Sequence, residues 1–354
     1  MRSSDCESLV EVTRGNIVES IHFGAFVVVD SKGKIIASRG SPDLLTYPRS
    51  AMKPFQLMPF VERGGPEFFG FTIQEIAIMC ASHAGTDFHV SVLEGMHKKI
   101  GISEDDLMCG VHWPSDAKTR QAMRAAGETP TPFRHNCSGK HTGMLAFTCM
   151  DDLDKKSYLD PAHPVQVRIR ETLAEMLGLD PEDLPLGIDG CSAPVYGIPL
   201  QNMAKAVALL ADPKDLGELR QAACKQITSA MMAHPVMVAG PEKFDTDLMT
   251  VADGRLFSKG GAEGYQIIGV MPNTVYPGSP GMGIAIKISD GDAQGRARTF
   301  IGLLLLKALG VLDETDLSDL KFNEKTWLKN WRGIDVGKLR PAFQLEELVF
   351  NDDQ

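Results

Sequence analysis

The chain has 354 residues, 43% of them hydrophobic and 23% charged, the composition of an ordinary soluble globular protein able to bury a large core without staples. Its formal net charge of -10 argues against nucleic acid and anionic membrane as partners. Seven cysteines, an odd count, follow an N-terminus without an apolar leader, which points to free thiols in a reducing, cytoplasmic setting.

In chain order, residues 11–19 read as a first strand and turn, followed by β-branched apolar runs at 23–30 and 34–38. Asp30-Ser31-Lys32-Gly33 is a turn sequence, so the last two runs form a hairpin. The middle of the chain has helical period at 52–62, 73–82, 88–100, 117–126, 140–149 and 162–177, each bounded by Gly, Pro, Asp or Ser. Leu186-Gly187-Ile188-Asp189-Gly190 is a short strand entering a loop. Helices follow at 198–211 and 214–232, then strands at 247–252, 265–270 and 282–288, then a helix at 293–310. The apolar run 300–306 is too short to span a bilayer. The acidic tail from Glu346 is expected to fray. Strands, then helices, then strands and helices, without βαβ alternation, predict the α+β class: an antiparallel sheet with an inserted helical lobe. The chain reads as one domain, with 1–50 and 185–354 in a sheet-containing lobe and 51–184 in a mainly helical one.

Ser50-Ala51-Met52-Lys53 opens the first helix and carries the sharpest chemistry. A serine hydroxyl needs a base to attack at neutral pH, and a lysine three residues on in a helical turn reaches it. If burial and neighbouring charge keep that amine neutral, it can be the base. Pro54 forbids a regular helix through Ser50, which leaves Ser50 at the helix start, where free backbone N–H groups can face an oxyanion. The bland alternative is a helix start with an exposed lysine.

Four further loops stand out. Ser82-His83-Ala84-Gly85-Thr86 suits substrate contact or proton relay, against the plainer reading of a helix C-cap with Gly85 left-handed. Arg134 to Gly143 contains Gly139-Lys140-His141-Thr142, the end of a phosphate loop in appearance only, since Arg134 stands where that pattern needs glycine. Gly187 to Pro194 offers Asp189 and Cys191, and Lys259-Gly260-Gly261-Ala262-Glu263-Gly264 puts a lysine before small residues. Cys137 and Cys191 could hold zinc with a third donor, although no Cys-x-x-Cys pair supports it and buried thiols are the simpler reading. A cysteine nucleophile at Cys137, with His135 or His141 as base and Lys140 lowering its pKa, is the other option.

Together these loops, with Glu11-Val12-Thr13-Arg14-Gly15 and Val18 to His22, resemble the signature of the rhizobial-type L-asparaginases, the L-asparaginase II family, from about residue 9 to about 335. The resemblance implies an asparagine amidohydrolase with a fold similar to serine β-lactamases and serine-dependent glutaminases. It implies two serine–lysine pairs, Ser50 with Lys53 and Ser82 with Lys259, and zinc held by Cys137, Lys140 and Cys191. Arg49, His83 and Asp189 are the candidate substrate contacts, and a homodimer is expected. The alternatives are a serine amidohydrolase acting on glutamine or another small amide, and a non-catalytic, zinc-dependent amino-acid binder.

Overall fold

The first strand runs from Glu7 to Arg14, turns at Gly15 (φ 55°) and returns as Ile17–Asp30, a strand of 14 residues. The expected 30–33 turn then folds Ile35–Arg39 back onto it in antiparallel register, with Gly33 at φ 88°. The structure is a computed structural model that describes residues 2–322 and 326–344. The chain divides into two units, Met1–Ala51 with Ile198–Asp212 and Asp247–Gln354, and Met52–Gly197 with Pro213–Thr246.

The first unit is built on an eight-stranded antiparallel sheet. Its order is Trp327–Lys329, Asp335–Pro341, Glu7–Arg14, Ile17–Asp30, Met282–Ile288, Tyr265–Val270 and Leu256–Gly260, with Ile35–Arg39 also paired to Ile17–Asp30. All seven residues of Met282–Ile288 are buried, because the Leu200–Ala211 and Arg296–Ala308 helices both pack on that strand. Gly283 shows how closely: a Cβ there would lie 1.9 Å from the carbonyl oxygen of Ala204. Only glycine admits a helix at that separation.

The second unit is helical. Lys53–Glu62 lies at its centre, buried from Lys53 to Val61, and packs on Ser138–Met150, Pro164–Leu177 and Glu218–Ala233. A helix that is apolar all round rather than along one stripe is a core helix. Ile73–Met79 packs on Ser138–Met150 and Glu218–Ala233.

The α+β class stands: an antiparallel sheet with a helical lobe. Three expectations change. Residues 247–252 are not a strand but part of the helix Phe244–Ala252. Its buried Phe244, Leu248, Met249 and Ala252 recur at helical spacing, a pattern that a short apolar window hides. Residues 185–197 and 213–246, expected in the sheet lobe, fall in the helical unit, the latter because Glu218–Ala233 packs on two of its helices. The 73–82 helix stops at Met79, which leaves Ser82 on a loop. Leu256–Gly260, Trp327–Lys329 and Asp335–Pro341 are strands that hydrophobic period did not reveal. The tail from Glu346 lies outside the described residues. Among the described residues no helix is long and apolar enough to cross a membrane.

Candidate active site

Pro54 falls in the first turn of its helix, where a missing N–H leaves no bond unmade, so the regular helix begins at Lys53. The preceding turn Arg49–Met52 is 3-10, and Arg49 sits at φ 52°, a left-handed conformation costly for a side chain with a Cβ.

In the second unit Lys53 is only 1% exposed. Its Nζ meets three oxygens: the carbonyl of Ala81 at 2.5 Å, Ser82 Oγ at 3.0 Å and the carbonyl of Asn136 at 3.4 Å. None of the three is charged. The lysine therefore touches the second candidate serine directly. Two glycines allow this convergence. A Cβ on Gly139 would lie 2.1 Å from the carbonyl oxygen of Ile78, and one on Gly143 would lie 3.0 Å from Met79 Sδ. The Ser138–Met150 helix thus lies flush on Ile73–Met79, and the residues leading into it come beside Ala81 and Ser82.

The Ser82–Thr86 loop is not a helix C-cap. Gly85 is left-handed (φ 72°), but the helix has already ended, and Thr86 caps the next one in a reciprocal capping box with His89. Gly85 is glycine for a second reason, since a Cβ would lie 2.7 Å from the carbonyl oxygen of Arg134. His83 is fully buried, and both ring nitrogens are engaged. Nδ1 accepts from the Gly85 N–H at 3.1 Å, so Nε2 carries the proton and donates to Ser138 Oγ at 2.8 Å. Ser138 Oγ donates in turn to the carbonyl of Phe133. Burial first, then the charges of His89 and Lys53, pushes the His83 pKa well below its ordinary value.

The three expected zinc donors converge in the same unit. Lys140 Nζ lies 3.1 Å from Cys191 Sγ, Cys191 hydrogen-bonds Cys137, and all three residues are buried. The hydrogen bond from Cys191 holds the Cys137 thiol well below its usual pKa against the opposing effect of burial, helped by Lys53 and His135. The same bond and burial raise Cys191. Burial would lower the Lys140 amine, but Cys191, Cys137 and Asp189 outweigh it and raise its pKa. Among the described residues no three His, Cys, Asp or Glu side chains form a metal-binding group, so a metal here depends on the lysine as third donor. Two thiols and an amine meeting in a buried cluster suit the soft donor preference of zinc. Asp189 is half-exposed, and its Oδ1 accepts from the Gly190 N–H at 2.7 Å. His141 is bonded at Nδ1 to Tyr158 Oη at 2.6 Å, while Nε2 is buried with no partner among the described residues.

In the first unit, Lys259 is buried at the sheet's end strand and donates to the carbonyl of Gly260 at 2.7 Å. Two residues on, Gly261 brings that strand against the turn that precedes Arg49 and Ser50: a Cβ on it would lie 2.3 Å from the carbonyl oxygen of Pro48. Pro48 O also accepts from the Ala51 N–H at 3.1 Å. That N–H is therefore committed, as is the Ser82 N–H, bound to Val238 O at 2.9 Å.

Of the expected residues, the structure brings together Lys53 with Ser82, and Cys137 with Lys140 and Cys191. In the first unit, Gly261 brings the strand that carries Lys259 against the Pro48 turn beside Arg49 and Ser50. Asn136, Ala81 and Ser138 were missed as site-builders. Asn136 and Ala81 act through backbone carbonyls, which no side-chain motif signals, whereas Ser138 stood in a loop already rich in polar groups.

A family profile described as L-asparaginase II matches residues 10–341. A comparison with curated protein sequences finds no significant match. Among solved structures, a crystal structure of Mglu is 13% identical with a TM-score of 0.44, covering 82% of this chain and 68% of that one. A Bacillus glutaminase in 4.3 M NaCl is 14% identical with a TM-score of 0.37, covering 81% and 91%. A probable glutaminase from Bacillus subtilis, complexed with 6-diazo-5-oxo-L-norleucine, is 13% identical with a TM-score of 0.40, covering 81% and 84%.

Proposed function

Because the chain belongs to the L-asparaginase II family, we propose that it hydrolyses L-asparagine to L-aspartate and ammonia by serine–lysine catalysis. It is an amidohydrolase, acting on amide C–N bonds. The observation that carries the mechanism is the 3.0 Å contact between Lys53 Nζ and Ser82 Oγ. A neutral lysine amine has two N–H donors and one lone pair. The Nζ donates to all three oxygens as the contacts stand; on losing a proton, with its two donors kept on the carbonyls of Ala81 and Asn136, it would turn its lone pair to the Ser82 hydroxyl proton. That is the arrangement a general base needs.

In this reading a serine oxygen attacks the side-chain amide carbon as Lys53 takes its proton. The C–N bond breaks, the proton passes to the leaving nitrogen, and ammonia departs. Water then attacks the acyl-enzyme and frees aspartate. Ser82 is the hydroxyl in contact with the base, while Ser50 stands three residues before that base in sequence, and Lys259 is the lysine of the second pair. Arg49 and Asp189 are assigned to the substrate's charged groups. His83, buried and doubly bonded, holds the Ser82 loop in shape rather than touching substrate.

Zinc would be held by Cys137, Lys140 and Cys191. When bound it supplies a fixed positive charge that orders both cysteine loops. A homodimer in the cytoplasm completes the reading.

Ammonia release from asparagine and glutamine by wild type, Ser82→Ala, Ser50→Ala and Lys53→Met tests it. Lys53→Met and Ser82→Ala are expected to lose about 100-fold or more in kcat. Near-full activity in Ser82→Ala removes it as a catalytic group. Asparagine is expected to lead glutamine by about 10- to 200-fold, the discrimination one methylene allows. Saturable asparagine binding without ammonia would instead identify a binder. A cysteine hydrolase has one observation in its favour, the depressed Cys137 thiol, but that residue is only 5% exposed. Inactivation by alkylation, prevented by substrate but not by zinc removal, would establish it.

A further inference from the structure

The first unit carries a groove of about 550 Å³ that none of the candidate active-site residues lines. Its walls include Arg14 and Glu19 from the first hairpin, Arg296 from the start of the Arg296–Ala308 helix, and Lys329 and Trp331 from the Trp327–Lys329 region. Three cations face one carboxylate there, in a chain whose net charge is -10. Glu19 bonds Arg14 directly, with Nε to Oε1 at 2.8 Å, and its charge also acts on Arg296. Arg296 and Lys329 are left, and neither makes an ion pair with a carboxylate among the described residues.

Arg296 is held in place. Its Nε donates to His22 Nε2 at 3.0 Å. An arginine N–H can only donate, so His22 carries its proton on Nδ1 and donates it to Asp290 Oδ2 at 2.6 Å. His22 is buried, so the relay Asp290–His22–Arg296 locks the guanidinium through the one nitrogen that a bidentate ligand does not need. Its two terminal amino groups make no hydrogen bond among the described residues. Trp331, which lines the same groove, is fully exposed. A braced guanidinium with free terminal amino groups, lining the same groove as an open aromatic face, is a receptor for a flat anion.

We infer that this groove is a second ligand site, for a small aromatic or otherwise planar carboxylate, with Arg296 gripping the carboxylate and Trp331 stacking on its body. The volume suits a molecule of that size. The site does not depend on the amidohydrolase reading.

The probe is benzoate, with uncharged benzamide as control, followed on the full-length ¹⁵N-labelled protein through the indole N–H resonances of its 3 tryptophans. Trp331→Phe and Trp113→Phe assign the two resonances that the test reads. Benzoate is expected to shift the Trp331 signal saturably with a roughly millimolar dissociation constant, leaving Trp113 unmoved, and benzamide to do nothing. Arg296→Gln is expected to weaken binding at least about 10-fold, and His22→Leu by a smaller factor, since it frees the guanidinium without removing it. An unmoved Trp331 signal, an equal response to benzamide, or unchanged binding in Arg296→Gln overturns the site. Should Arg296→Gln fail to fold, Trp331→Ala, altered only at a fully exposed side chain, is tested by ligand-observed saturation transfer. Undiminished benzoate binding there is equally fatal.

Discussion

At the scale of single residues the protein concentrates its titratable groups where water is absent. His97 is the clearest case. Burial pushes its pKa down to about 4, against weaker support from its bond to the carbonyl of Ser103. Its unfolded value is about 6.5, so between pH 6.5 and 4 the unfolded chain binds a proton that the folded one refuses. Stability is therefore full above that window and falls as pH drops through it, by about 1.4 kcal/mol per pH unit at most. Denaturant midpoints measured from pH 7 to 4.5 should show a shallower decline in His97→Gln than in wild type; identical slopes would remove His97 as a source. Ser50-x-x-Lys53, Ser82 and the two cysteines were all legible as residues. Which of them touch was not, because Lys53 reaches Ser82 across 29 positions of sequence.

At the scale of elements, glycines set the distances. Gly139 and Gly143 lie one turn apart on one helix but meet different neighbours. A methyl on Gly139 would strike the Ile78 backbone, whereas one on Gly143 would meet the end of the flexible Met79 side chain. Gly139→Ala is expected to destabilise by about 1–3 kcal/mol and Gly143→Ala by clearly less, read as thermal or denaturant midpoints. Equal effects would mean that the two helices are not packed this closely. Gly261→Ala would force the end strand away from the Pro48 carbonyl. Its expected signature is a fall of about 10-fold or more in kcat with a smaller change in KM, because the turn that carries Arg49 and Ser50 moves while the fold survives. The helices of the second unit were predicted within a few residues because their apolar period is strong. The Leu256–Gly260 strand was missed because five residues that include Ser, Lys and Gly carry no period at all.

At the scale of the whole molecule, the metal is the lever to pull. If Cys137, Lys140 and Cys191 hold zinc, removing it with a chelator should lower the melting temperature, and Cys191→Ser should abolish stoichiometric zinc by elemental analysis. The Lys140 amine has a raised pKa and must lose its proton to become a ligand, so apparent zinc affinity should rise steadily with pH. An affinity flat from pH 6 to 9 would exclude the lysine as donor. Family membership spans nearly the whole length, residues 10–341, whereas the structural units cut the chain into five segments.

Read alone, the order of residues determined the α+β class, the family and the chemical inventory, because apolar period, turn chemistry and short motifs are local properties. Only the tertiary structure decided which serine the lysine meets, that His83 faces inward, that 185–197 and 213–246 belong with the helices, and that Arg296 is braced by His22 in a groove. Each of these depends on contacts between segments distant in sequence. A local pattern carries no record of the close approaches that Gly139, Gly261 and Gly283 permit.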